Sequence, residues 1–368
     1  NIIMVSYCLK FHLPPTCKTI TFVTHHQLMK INIRTRHILY EILLFTVLWM
    51  IIMNMYFLIA FWGIRGFLSD PYIVELFNIF YGFDDIIFHS FTFGLLFSFI
   101  NITFDRSRSR KFSIGKIILL KSVFYMIAIM ISDTMVMLIN SQVSNLNISK
   151  IFQLFMQEIP TSFVITTSAY YIFFILLLNF LYQVNKRIGP GILFNSLIGK
   201  YHQPRDEKLI FLFLDMKNST GIAEKLEHKR YSMFIKDCFS MLTNPIYNCR
   251  ADVYQFVGDE AVLTWTAKKG LENLNCLRLF FEFREVLETK RDYFMEQYTI
   301  FPEFKAGIDY GEVTVTEVGE VRRDLAYHGD VLNTAARLEK LCKKVGHDLL
   351  MTEYLDEAIQ QLDGYIKI

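Results

Sequence analysis

Residues 208–220 read KLIFLFLDMKNST, and this stretch decides the fold of the C-terminal half. KLIFLFLD is a short apolar run ending in an acid, which suits a fully buried strand leaving the sheet at Asp215. Asn218, Ser219 and Thr220 then offer N-cap side chains for a helix beginning near Gly221. An acid at a strand exit beside free helix N–H groups can seat a metal-bound phosphate. Taken alone, Asp215 reads more simply as a solvated strand end.

Downstream the pattern continues as an alternation of helices and paired strands. A helix is expected from about Lys229 to Asn248, with Tyr231, Phe234, Ile235, Cys238, Met241 and Leu242 on one face. Two short strands follow, Asp252 to Val257 and Glu260 to Trp265, joined at Gly258-Asp259. Gly-Asp is ordinary hairpin chemistry, so Asp259 by itself is a turn residue. A long helix over about 270–297 leads to a hairpin of Phe304 to Asp309 and Glu312 to Val318 around Tyr310-Gly311. The last motif, AYHGDVLNTAARLEKLC at 326–342, places Asn333 and Arg337 four apart on one helix face. This order implies an α+β, ferredoxin-like domain over 205–368: an antiparallel-rich sheet with helices on one face.

Upstream, the character of the chain changes. Of 368 residues 52% are hydrophobic, too many for an ordinary soluble chain, and the excess lies in 38–184. Four segments, at roughly 42–64, 86–104, 117–139 and 163–184, reach the length of about 20 apolar residues that a membrane crossing needs. They define a four-helix transmembrane domain over 38–185, preceded by an unassigned segment over 1–37. A linker over 186–204 contains the helix breaker Gly189-Pro190-Gly191. In residues 1–30 no small-residue cleavage site follows an apolar core, so no secretory signal is expected.

Positive charge orients the spans. Lys30, Arg34 and Arg36 precede the first. Arg106, Arg108, Arg110, Lys111 and Lys116 fill the second loop, and Lys186 and Arg187 follow the fourth. The first loop sets Arg65 against Asp70, Glu75, Asp84 and Asp85, and the third sets Lys150 against Glu158. Both termini and the C-terminal domain are therefore expected on the cytoplasmic side of the plasma membrane, with the lipid bilayer as a partner. Lys121 lies near enough to a span end to snorkel. Asp133 suits a sensing or helix-pairing role, or else a place at the outer interface. A net charge of +2, without a basic cluster interleaved with aromatics in the C-terminal half, excludes nucleic acid as a partner. The six cysteines show no C-x-x-C spacing, and the four in the C-terminal half, expected in the reducing cytosol, read as free thiols.

Four stretches together resemble the class III adenylate and guanylate cyclase catalytic domain over about 205–355. They are FLFLDMKNST (211–220), ADVYQFVGDE (251–260), FKAGIDYGEVTV (304–315) and YHGDVLNTAARLE (327–339), in the family's order and at its spacings. The resemblance implies that Asp215 and Asp259 hold two divalent cations, Mg²⁺ or Mn²⁺. It implies that Asn333 and Arg337 stabilise the transition state, and that Lys217, Asn218, Ser219 and Thr220 cradle the distal phosphates. In the family the two halves of each site come from different catalytic domains, so the resemblance also implies a homodimer. At the positions where the family's adenylate cyclases commonly carry a Lys and an Asp to read the base, this chain has Gln255 and Ala326. Its guanylate cyclases commonly carry Glu and Cys there. Because bacterial-style, membrane-anchored members of the family mostly make cyclic AMP, the resemblance implies an adenylate cyclase that takes ATP. The alternatives are a guanylate cyclase, or a receptor whose cyclase-like domain binds nucleotide without turnover. Four spans without broken helices give a transporter little support.

Overall fold

The computed structural model describes residues 2–4, 33–65, 83–106, 113–144, 149, 153, 161–188, 195–196, 198–321 and 323–361. Cys8, Cys17, the Gly189-Pro190-Gly191 breaker and the loop charges Asp70, Glu75, Arg108, Arg110, Lys111, Lys150 and Glu158 lie outside them. The chain divides into two compact units, Arg34–Arg187 and the remainder.

The first unit holds four helices: α1 (Ile33–Arg65), α2 (Phe83–Arg106), α3 (Ile114–Ser144) and α4 (Thr161–Ile188). Each contains an apolar window long enough to cross a membrane: Ile38–Ile59, Ile86–Phe104, Gly115–Val136 and Val164–Asn185. Large apolar side chains cover the outside, among them Leu43, Ile59, Phe99, Leu119, Met130 and Ile165, as contact with lipid tails requires. Inside, Trp49 packs edge-on against Phe93 at 4.6 Å and Phe97 stacks on Tyr125 at 4.1 Å. At Gly94 an added Cβ would sit 2.7 Å from the backbone of Thr46, so glycine is what lets α1 and α2 approach there.

Lys121 does not snorkel. It is fully buried, its Nζ donates to Asn101 Oδ1 at 2.7 Å, and Tyr125 Oη donates to the same oxygen at 2.9 Å. Tertiary packing overrides the snorkelling rule because α2 brings an amide acceptor within reach. Asp133 is largely exposed and lies 3.1 Å from His89 Nδ1, which ties α3 to α2.

The second unit is built on a seven-stranded sheet. In chain order its elements are β1 (Ile2–Met4), β2 (Arg205–Met216), α5 (Ser219–Asn248), β3 (Asp252–Val257), β4 (Glu260–Thr266) and α6 (Ala267–Leu271). They continue as α7 (Asn275–Glu288), α8 (Arg291–Tyr298), β5 (Phe304–Val318), β6 (Asp324–His328), α9 (Asp330–Val345), β7 (Leu349–Thr352) and α10 (Glu353–Gln360). The strand order is β1-β7-β5-β2-β4-β3, with β6 also on β5. All pairs are antiparallel except β5 with β7. It is the α+β arrangement anticipated from the sequence.

Three details differ. Residues 304–318 form one continuous strand rather than a hairpin. The ladder to β2 runs straight through Ile210↔Tyr310 and Leu209↔Gly311, and β5 turns back only into β6. Gly311 serves close packing instead of a turn, since a Cβ there would lie 2.8 Å from Val331 Cγ2. The long helix over 270–297 is broken. Asn273 and Leu274 both adopt left-handed φ of 53°, separating α6 from α7, and α8 restarts after Lys290. Finally, helices cover both faces. Ile210, Leu212 and Leu214 pack with residues of α5, α7 and α8, whereas Leu209, Phe211 and Phe213 pack with Val331 and Ala335 of α9. Gly307 makes that second face possible: a Cβ on it would meet Ala335 O and Glu339 N at 2.2 Å.

The expected starts near Gly221 and Lys229 correspond to one helix, α5, broken at Glu227 (φ 58°, ψ 162°). Cys238, Cys249, Cys276 and Cys342 are free and buried. Burial pushes the Cys249 and Cys276 thiols up to about 12, which keeps them protonated and unreactive.

Candidate active site

Asp215 sits where β2 runs out, opposite Glu260 on β4 and Lys305 on β5. Asp259 is in the two-residue turn between β3 and β4, after Gly258, whose φ of 61° favours glycine. The fold thus carries two carboxylates to one end of adjacent strands. They feel each other. The Asp215 carboxyl is pushed up to about 6, first by burial and then by the charges of Glu339 and Asp259, against the pull of Lys305. Burial raises Glu260 too, with Glu339 and Asp259 adding to the shift.

Tyr231, on α5, completes the near side. Its hydroxyl is pushed up to about 12 by burial, then by Asp259 and Asp215, and it shares a hydrogen bond with Ser219. Ser219 is therefore tied to a hydroxyl that feels both aspartates. At the start of α5 Asn218 is left-handed (φ 53°) and its carbonyl accepts from Ile222 N–H at 3.0 Å. Its side chain makes no cap bond, so the N-cap expectation fails at this residue. The reason is conformational: a cap residue is normally extended, and the left-handed backbone turns its side chain toward Gly221 instead.

Lys217 also departs from expectation. Its N–H donates to Glu303 O at 2.8 Å, extending the strand pairing, and its ammonium pairs with Asp348 at 2.5 Å and Glu303 at 3.4 Å. That N–H is taken. Of the four residues expected to form a phosphate cradle, only Ser219 and Thr220 lie at the helix N-terminus with helical geometry.

Two charged residues missed by sequence reasoning stand at the centre. Lys305 Nζ lies 3.2 Å from Asp215 Oδ2 and also pairs with Glu339 Oε1. Glu339 belongs to α9 and is only 3% exposed. The sequence shows only that a Lys interrupts an apolar strand pattern at 305; that it stands across from Asp215 comes from the strand register. Asn333 and Arg337 do not join this group. They lie on the exposed face of α9, and Arg337 is about 200° around the helix from Glu339.

Gln255 is exposed on β3, just past a bulge at Tyr254, and Ala326 is half-buried on β6 opposite Thr316. Three strands separate β3 from β6, yet the sheet curls until Tyr254 and Tyr327 meet edge-on at 4.9 Å over Phe211. Gln255 and Ala326 are the immediate neighbours of these two rings.

Asp215 and Glu339 pair with one ammonium, and Asp259 and Glu260 lie within electrostatic reach of them, so the cluster is rich in hard oxygen donors and in negative charge. That donor set suits Mg²⁺ or Mn²⁺. Among the described residues no three His, Cys, Asp or Glu side chains are arranged to hold a metal unaided. A cation here would take its remaining oxygens from water and a phosphate-bearing substrate, as Mg²⁺ commonly does.

The chain is 28% identical over 173 residues to Adenylate cyclase 2 of Rhizobium meliloti (strain 1021), covering 47% of this chain and 48% of that protein. It spans about half the length of the curated relative it matches. Similar solved structures include a bacterial light-regulated adenylyl cyclase (22% identity, TM-score 0.44, 50% of this chain and 57% of that one). The adenylyl cyclase CyaB from P. aeruginosa is 20% identical at a TM-score of 0.39, over 44% of this chain and 84% of that one. The guanylyl cyclase Cya2 is 18% identical at a TM-score of 0.38, over 43% and 80%. No protein-family model matches the chain.

Proposed function

We propose that the second unit is a class III nucleotidyl cyclase domain that converts ATP to 3′,5′-cyclic AMP and pyrophosphate. The four-helix unit anchors it in the plasma membrane with both termini and the catalytic domain in the cytoplasm. One observation carries the catalytic reading: Asp215 and Asp259 lie within electrostatic reach of each other at the sheet's end, while Asn333 and Arg337 point to solvent. One chain then carries two complementary half-sites. A homodimer with two-fold symmetry completes both, each pairing one protomer's aspartates with the other's Asn333 and Arg337.

In such a site Asp215 and Asp259 would hold two divalent cations, Mg²⁺ or Mn²⁺. When bound, these supply the acidification of the ribose 3′-hydroxyl and the neutralisation of the triphosphate. The chain's own groups do the rest. N–H groups at Ser219 and Thr220 bind the distal phosphates at a helix N-terminus. The partner's Asn333 orients the ribose so that its 3′-oxygen faces the α-phosphorus in line with the leaving pyrophosphate. As the new O–P bond forms and the bond to the β-phosphate oxygen breaks, the partner's Arg337 stabilises the charge growing on the α-phosphate. Gln255 reads the purine edge with a neutral amide that both donates and accepts. One or two such bonds, each worth up to about 1.5 kcal/mol, give ATP a preference over GTP of about tenfold to a hundredfold.

The test is product analysis. Purified full chain, given ATP or GTP with Mg²⁺ or Mn²⁺, should release cyclic AMP and pyrophosphate in equal amounts and prefer ATP. A preference for GTP would make it a guanylate cyclase. Nucleotide binding without any cyclic product would favour a non-catalytic receptor.

A further inference from the structure

Lys305 places a cation where the proposed chemistry needs a different one. Its position on β5 faces Asp215 across the ladder, and its ammonium lies 3.2 Å from Asp215 Oδ2. The same ammonium pairs with Glu339, which α9 buries against the sheet. Lys305 itself is only 16% exposed, so it has little water to retreat into. An ammonium and a divalent ion on one carboxylate repel strongly in so dry a place. Lys305 needs no large excursion to relieve that repulsion, because its second partner is already in contact.

We propose that Lys305 is the resident counter-cation of the metal site: it neutralises Asp215 while no divalent ion is there and moves wholly onto Glu339 when one arrives. This rests on Asp215 being a metal ligand. Lys305 is a positioning residue, and Glu339 is the receiver that makes its departure possible. Together they set how tightly the site holds metal. They also explain why the bare site should hold it weakly until a triphosphate adds its own negative charge. Removing the receiver and removing the competitor therefore change metal affinity in opposite directions, which a merely structural ion pair would not do.

The experiment measures Mn²⁺ binding to the full chain in detergent, without nucleotide, from the spin-resonance signal of free Mn²⁺. Glu339→Gln leaves Lys305 with Asp215 alone and should weaken binding on the order of tenfold. Lys305→Met combined with Glu339→Gln removes the competitor without stranding a buried carboxylate, and should tighten binding on the order of tenfold. Lys305→Arg keeps the charge and should stay within about twofold of wild type. Changes of the same sign in the first two variants, or no change in either, would overturn the proposal. Asp215→Ala separates the possible failures. Wild-type affinity there overturns the metal assignment and this inference with it. Lost affinity there, with Glu339→Gln and the double variant unchanged, overturns this inference alone.

Discussion

At the scale of the residue, the proposed metal pair is costly to its own domain. Asp215→Ala and Asp259→Ala should each reduce cyclase turnover to background while the protein stays folded, because each removes a charged ligand. Activity above a small fraction of wild type in either would end that assignment. The Asp215 carboxyl, raised from 3.8 to about 6, keeps its proton more tightly in the folded metal-free protein than in the unfolded chain. Across about pH 4 to 6 the folded state binds the extra proton, so stability falls as pH rises through that window. Asp215→Asn cannot ionise. Without metal it should melt higher than wild type at about pH 7.5, the difference closing toward pH 4; a lower melting point at pH 7.5 would contradict the sign. The two aspartates were legible in the sequence as a strand end and a turn residue, their proposed metal role coming only from the resemblance. Lys305 and Glu339 were not. Each is a common charged residue, and their meaning comes only from the β2–β5 register and from α9 lying over Gly307.

At the scale of the element, α9 decides most. It presses its buried side on the sheet through the gap left by Gly307, and it offers Asn333 and Arg337 on its other side. Gly307→Ala should cost about 3 kcal/mol or more, since backbone atoms of Ala335 and Glu339 stand where the methyl would go. Chemical unfolding checks this, and a loss under about 1 kcal/mol would mean that α9 can slide aside. Complementation tests the other side of the helix. Asp215→Ala mixed with Arg337→Ala, each inactive alone, should regain activity, because a mixed dimer keeps one unbroken site. Silent mixed dimers would rule out the divided site. Sequence periodicity found most of these elements but misjudged how they pack. Tyr310-Gly311 looked like a turn because Gly is the commonest turn residue, whereas here it makes room for Val331. The break at Asn273 and Leu274 was hidden inside an otherwise helical apolar pattern.

At the scale of the whole molecule, a two-dimensional tether changes how association depends on concentration. Activity of a fragment from about residue 200 onward should fall steeply on dilution as dimers separate, while the full chain in vesicles should resist dilution. A fragment whose specific activity did not change through the monomer–dimer range would contradict the shared site. That the first unit is built for lipid was plain from composition, but its interior was not, because hydropathy does not say which helix supplies a partner for a lone charge. A lysine inside a single span, as Lys121 is in α3, costs up to about 2.5–3.5 kcal/mol on insertion. In the finished bundle that lysine rests on Asn101 from the preceding span. The third span is therefore expected to insert more readily with the second beside it than alone. Replacing Asn101 with Leu should leave a fraction of chains with the third span outside the bilayer, seen as altered labelling of sites engineered after it. Adding Lys121→Leu should restore insertion without any help from its neighbour.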